Sequence, residues 1–199
     1  MRLKTIIAGI ALAMAVSTPT LAHERVYTAV LDGPSEAPPN GSPGHGTATV
    51  TFDLDLVTMR VQASFAGLTG NVTASHIHCC TTVPGAGTAG VATVVPTFTG
   101  FPSGVTAGTY DHTFDMALAS SYNAAFITAH GGTVSGALND LLAGIDAGKG
   151  YLNIHTRTFP GGEIRGFLAP VPEPETYAMM LAGLGVLGAA ARRRKSTAA

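Results

Sequence analysis

The chain predicts a mainly β domain, an antiparallel β-sandwich or barrel with two short helices, held between two export segments. Three observations predict this. Apolar and polar residues alternate with period two along most of the body. Gly and Pro clusters interrupt the alternation. Two stretches shift instead to helical spacing.

The alternation is clearest in the first half. Phe52, Leu54 and Leu56 alternate with Thr51, Asp53 and Asp55, and Met59, Val61, Ala63 and Phe65 with Arg60, Gln62 and Ser64. The two runs nearly abut, which predicts an antiparallel hairpin turning near Val57-Thr58. Phe114, Met116 and Leu118 alternate with Asp111, Thr113 and Asp115. Further strands are predicted over 25–31, 72–78, 90–98, 150–156 and 163–169. Gly and Pro separate them at 33–46, 84–90, 101–108 and 159–162. Residues 120–129 are Ala-rich, with Tyr122, Ala125, Phe126 and Ala129 near one helical face. Residues 134–147 place Leu138, Leu141, Leu142 and Ile145 at helical spacing, with Gly148 suited to end that helix.

The chain's two ends read as sorting signals. Arg2 and Lys4 precede an apolar run over 6–16, and Thr20-Leu21-Ala22 has the small-x-small form of a signal-peptidase site. This predicts a signal peptide over 1–22, cleaved to leave His23 first. At the other end, Pro172-Glu173-Pro174 leads into a run without charge from Thr176 to Ala191, closed by Arg192, Arg193, Arg194 and Lys195. Proline interrupts regular structure, an apolar run enters a bilayer as a transmembrane helix, and a basic cluster stays on the cytoplasmic side. This order of parts resembles the PEP-CTERM sorting signal, over 171–199. The resemblance implies an exosortase-type processing enzyme as partner, membrane anchoring before processing, and a Gram-negative bacterium that makes exopolysaccharide.

Between the ends, residues 23–170 have the length of one domain. Arg25, Arg60, Lys149, Arg157 and Arg165 face ten acidic residues there, a balance of about −5, whereas the whole chain is −1. An acidic body with scattered cations excludes a nucleic-acid footprint. From Val61 to Tyr110 there is no charged residue.

Strand parity singles out one set of polar residues. His76 and His78 share a face of their strand, opposite Ile77. Tyr151, Asn153 and His155 share a face opposite Leu152 and Ile154. Glu163 and Arg165 share a face opposite Ile164 and Leu168. If Ile77, Ile154 and Ile164 point into the core, then His76, His78, His155, Glu163 and Arg165 fall together on the exterior face. Neutral imidazole binds copper and zinc well, so His76, His78 and His155 form a candidate metal site. The same residues also suit a polar network that includes Glu163 and Arg165. Cys79 and Cys80 follow at once and could add a thiolate. In an oxidising compartment the pair has four choices: a vicinal disulfide, free thiols, ligation, or bonding to another chain. The vicinal disulfide is favoured slightly over ligation.

Two separated motifs carry a second resemblance. Ser75-His76-Ile77-His78, then Tyr151-Leu152-Asn153-Ile154-His155-Thr156 and Pro160-Gly161-Gly162-Glu163-Ile164-Arg165-Gly166, resemble the chordin-type (CHRD) domain over about 25–169. The resemblance implies a mainly β extracellular module and places the three polar strands in one sheet. It implies no activity.

Other signals are weak. Gly183, Gly185 and Gly188 match a dinucleotide fingerprint only as letters, with no βαβ unit around them. No nucleophile-elbow sequence places a serine for attack. His112 reads as a core histidine, His45 as solvated and His130 as a helix-end residue. Three functions remain. The first is a non-enzymatic surface or matrix module sorted to the envelope, in contact with matrix or exopolysaccharide. The second is a copper- or zinc-binding protein. The third is a metal-dependent redox enzyme on the same histidines.

Overall fold

The computed structural model describes residues 23–172 and, past them, Leu181, Gly183, Leu184 and Leu187, which are helical. The predicted signal peptide and the sorting residues Glu173, Pro174, Arg192, Arg193 and Arg194 lie outside the described residues. Among the described residues no helix is long and apolar enough to cross a membrane.

Eight strands form one antiparallel sheet that curls into a half-barrel. They are β1 (Glu24–Asp32), β2 (His45–Asp53), β3 (Thr58–Ala66), β4 (Val72–His78), β5 (Gly108–Asp115), β6 (Tyr151–Thr156), β7 (Ile164–Phe167) and the short β8 (Ala169–Pro170). The order across the sheet is β4-β6-β7-β1-β2-β3-β5, with β8 also paired to β1. Two helices, α1 (Ala124–Ala129) and α2 (Val134–Asp146), come between β5 and β6 in the chain.

The period-two pattern explains β1, β2 and β3. Tyr27, Ala29 and Leu31 face inward with Ala48, Val50 and Phe52 and with Met59, Val61, Ala63 and Phe65. The register sets Tyr27 opposite Val50 and Val50 opposite Val61, so apolar side chains meet across all three strands. The β2–β3 turn falls at residues 54–57, earlier than the predicted Val57-Thr58. The Asp53 carboxylate accepts the backbone N–H groups of Asp55 and Leu56, both at 2.9 Å, and so ends the strand. Leu56 is therefore exposed in the turn and does not continue the inward row. Leu118 is exposed for a similar reason: β5 stops at Asp115, whose carboxylate accepts the Ala117 N–H.

The helices are shorter than or close to expectation. Asn123 caps α1 through the Ala125 N–H, so the helix begins there, and residues 119–121 form a separate 3-10 turn. Thr133 caps α2 the same way, and Leu141, Leu142 and Ile145 pack into the sheet's core. Gly148, at φ +68°, lets the chain turn back after α2.

Residues 90–98 are not a strand. Pro96 cannot extend a ladder. The segment nevertheless runs along the free edge of β4: Ala92 N–H donates to Ile77 O and Phe98 N–H to Ser75 O. Val72 then exchanges hydrogen bonds with residues 104 and 105. The edge that would otherwise invite pairing is thus covered by the chain's own loop.

Burial in β4, β6 and β7 does not alternate. Ile77, Leu152, Ile154 and Ile164 join the core on the inner face. Residues 76, 78, 151, 153 and 165 on the other face are buried too. Loops fold over that face, so it is an interior, where the sequence predicts an exterior. Replacing Ile77 by Ala should lower stability by about 2–5 kcal/mol, the cost of a cavity in a packed core. The exposed Thr73→Ala on the same strand should stay within about 0.5 kcal/mol of the parent. Chemical denaturation measures both, and equal effects would contradict this assignment of faces.

Candidate metal centre

Strand pairing brings the three histidines together. β4 lies beside β6 with His76 opposite Asn153, His78 opposite Tyr151 and Ala74 opposite His155. The bulge between Val72 and Ala74 leaves this part of the register intact. The three rings then stand as neighbours, with centroids 5.4 to 5.7 Å apart. One ligand atom from each lies within 4.8 Å of the others.

Each ring is bonded to a peptide carbonyl from a covering loop. His76 Nε2 lies 2.6 Å from Pro96 O, His78 Nδ1 2.9 Å from Ala89 O, and His155 Nδ1 2.9 Å from Pro160 O. A carbonyl only accepts, so those three nitrogens carry the ring protons. The tautomers are thereby fixed, and His76 Nδ1, His78 Nε2 and His155 Nε2 are left as bare lone pairs. His76 Nδ1 is buried without a hydrogen-bond partner. His78 Nε2 and His155 Nε2 face each other at 3.4 Å. With both ring protons committed elsewhere, no hydrogen bond joins them. Two imidazole nitrogens bound to one tetrahedral ion, with bonds of about 2.0–2.1 Å, sit roughly 3.3 Å apart.

Burial also keeps the rings neutral. It depresses all three, and it holds His78 down to about 4. The Tyr151 ring stacks on His78 with its centroid 5.0 Å away, and the Tyr151 hydroxyl accepts the Ala89 N–H. Arg165 lies over the Tyr151 ring at 4.7 Å. It donates to the carbonyls of Ser35 and Gly87.

Two expected partners are elsewhere. Glu163 leaves the histidine face and has no contact with Arg165 of the kind the sequence suggests. Its carboxylate accepts hydrogen bonds from the Ser42 and Thr156 hydroxyls, both at 2.6 Å, and from the Thr69 and Gly70 amides. Burial alone would raise this carboxyl, but the four donors outweigh it and hold it low. Gly162, at φ +132°, turns the chain just ahead of it. The ion-pair partner of Arg165 is Glu36, 3.8 Å away. Glu36 is buried, and burial pushes it up to about 7 despite the cation. Sequence reasoning missed Glu36 because it sits in the Gly/Pro stretch 33–46, where nothing periodic marks it.

Cys79 and Cys80 are joined to each other and are no part of the histidine group. Their sulfurs press on Gly144 of α2, where an added Cβ would collide with both. His112 is half-buried between the rings of Tyr110 and Phe114, His130 caps α1 and bonds Asp140, and His45 is exposed. A groove of about 640 Å³ on the outer face of β1, β2, β3 and β5 is lined by Val30, His45, Thr47, Ser64 and Thr109, and none of the three clustered histidines lines it.

Comparison with known families gives the same picture as the two motifs. A model of the CHRD domain matches residues 27–168, well over half the chain. The chain belongs to the CHRD domain family. A PEP-CTERM protein-sorting motif follows over residues 170–195. No curated protein and no solved structure matches. PEP-CTERM motifs direct export, envelope sorting and processing by an exosortase. This CHRD domain is therefore the body of an exported, sorted surface protein.

The buried rings give a pH dependence. Below about 6.5 the unfolded chain protonates histidines that the folded domain keeps neutral, so the unfolded state binds more protons and stability falls with pH. For His78 the window runs from about 6.5 down to about 4, a loss on the order of 3 kcal/mol once complete. Glu36, raised to about 7, works the other way: its contribution is full below about 4.5 and is lost as pH rises through 7. In denaturation of the metal-free protein, His78→Gln should flatten the acid-side slope and Glu36→Gln should steepen it. A slope unmoved by either variant would contradict these burial effects.

Proposed function

We propose that this CHRD domain is a non-enzymatic binding module that holds one copper or zinc ion at His76, His78 and His155 on the surface of a Gram-negative cell. One observation carries the reading: three histidines, each with a ligand nitrogen within 4.8 Å of the others, have their tautomers fixed by three peptide carbonyls, and two of the bare nitrogens face each other at 3.4 Å. Backbone partners behind metal-binding histidines play this orienting role in known sites. Imidazole suits copper and zinc, and the depressed basicity of these rings keeps them ready to bind at neutral pH. The sorting tail supplies the address, with matrix or exopolysaccharide as neighbours.

Elemental analysis and calorimetry should find one ion per chain. His155→Ala should weaken binding at least tenfold while keeping the β-rich circular dichroism, because His155 is the least buried of the three. Affinity should fall as pH drops and the rings protonate. The reading fails if the parent has no saturable site or if His155→Ala binds as tightly.

The tail has a separate test. Deleting residues 176–199 should release a folded body from the membrane fraction, since the core lies within residues 27–168. Sedimentation of the truncated protein with membranes would show that this segment is not the anchor.

A further inference from the structure

We infer that the three-histidine centre selects a monovalent ion, Cu(I), over Cu(II) and Zn(II); this rests on the metal-binding reading above. Ligand type does not decide the matter, because imidazole serves copper and zinc alike. Charge does. The cost of taking an ion out of water grows with the square of its charge, so a divalent ion loses about four times as much as a monovalent one of equal size. An anionic ligand, or a carboxylate behind a ligating histidine, offsets part of that cost for a divalent ion; a carbonyl behind the ring orients it without supplying formal charge.

Among the described residues this centre has neither. Its three ligands are neutral rings. The proton of each ring goes to a peptide carbonyl, at Ala89, Pro96 or Pro160, and not to a carboxylate. The two sulfurs that could have supplied thiolate are bonded to each other and lie against α2. The Glu163 carboxylate is taken by two hydroxyls and two amides. The formal charge stacked closest to the rings is positive: the Arg165 guanidinium over Tyr151, itself stacked on His78. Glu36 lies 3.8 Å from that guanidinium and at most neutralises it. A divalent ion would therefore keep its full charge in a largely buried place with no anionic ligand to offset it. Coordination number allows the same choice: three nitrogens satisfy Cu(I), whereas Zn(II) would need a water as its fourth ligand.

The test uses the full chain in detergent. Cu(I) affinity is measured by competition with bicinchoninate under anaerobic ascorbate, which reduces copper and leaves disulfides intact. Cu(II) and Zn(II) are titrated against their own competing chelators. Cu(I) should bind at least about 100-fold tighter than Cu(II), which raises the potential of bound copper above the aqueous couple by about 120 mV. Cu(I) should also displace Zn(II). Arg165→Gln should narrow the Cu(I)/Cu(II) ratio and Glu36→Gln should widen it, opposite movements that damage to the fold would not produce. Equal or tighter binding of either divalent ion overturns the selection while leaving the metal site standing, as do variants that move the ratio the same way. Failure of the parent to bind any of the three ions overturns the metal-binding reading and this inference together.

Discussion

Both faces of β4, β6 and β7 are buried, and that constraint organises the rest of the site. A polar group taken out of water must find a partner or cost free energy of order 1–3 kcal/mol. The inner face carries Ile77, Leu152, Ile154 and Ile164 and needs none. The other face carries three imidazoles, an amide and a guanidinium. The loops over it meet the demand with backbone carbonyls: Ser35, Gly87, Ala89 and Pro96 accept from the buried Arg165, His78 and His76, and Pro160 accepts from the half-buried His155. Those carbonyls are what fix the histidine tautomers. The loops are therefore structural lids and tautomer-setting partners at once.

The polar groups left over are informative. Among the described residues, buried side-chain atoms without a partner are His76 Nδ1, Asn153 Oδ1 and Glu36 Oε1. All three sit on or beside the same face. His76 Nδ1 belongs to the bare-nitrogen group. Asn153 and Glu36 both pack on Gly162, where a side chain would strike them. Elsewhere polar groups are well served: Glu163 has four donors, and Asp146 of α2 ties down both Arg25 and Tyr27 of β1 at 2.6 Å. The acceptors left bare gather at one place, which marks that place chemically.

Identifiable contacts hold the frame around the centre. The loop before β5 covers the β4 edge, and the joined sulfurs after β4 lock its end against Gly144 of α2. Tyr151 links the two systems, since it stacks on His78 and holds the Ala89 peptide that His78 bonds. The loops over the centre come from residues 33–40, 84–98 and 157–162, of which 33–40, 84–89 and 159–162 read in the sequence as breaks and 90–98 as a strand.

The sequence by itself determined the β character, the sorting tail, and which side chains share a strand face. Those properties are local: alternation follows from strand geometry, and a terminal signal is a linear arrangement of charge and apolar residues. The parity of His76, His78 and His155 was legible for that reason, and the family motif made their strands neighbours. What only the tertiary structure decided was the environment of that face. Whether it meets water or a loop depends on where residues 33–40, 84–98 and 157–162 fold, which period-two pattern does not encode. Glu163 followed parity on paper, yet the turn at Gly162 and four donors from distant segments drew it away. Glu36 carried no signal at all, because its role comes from a contact with Arg165, far along the chain. Residues 90–98 had strand composition, but Pro96 and the demands of the β4 edge made them an irregular cover. Local geometry sets which way a side chain points, while long-range packing alone sets what it meets there.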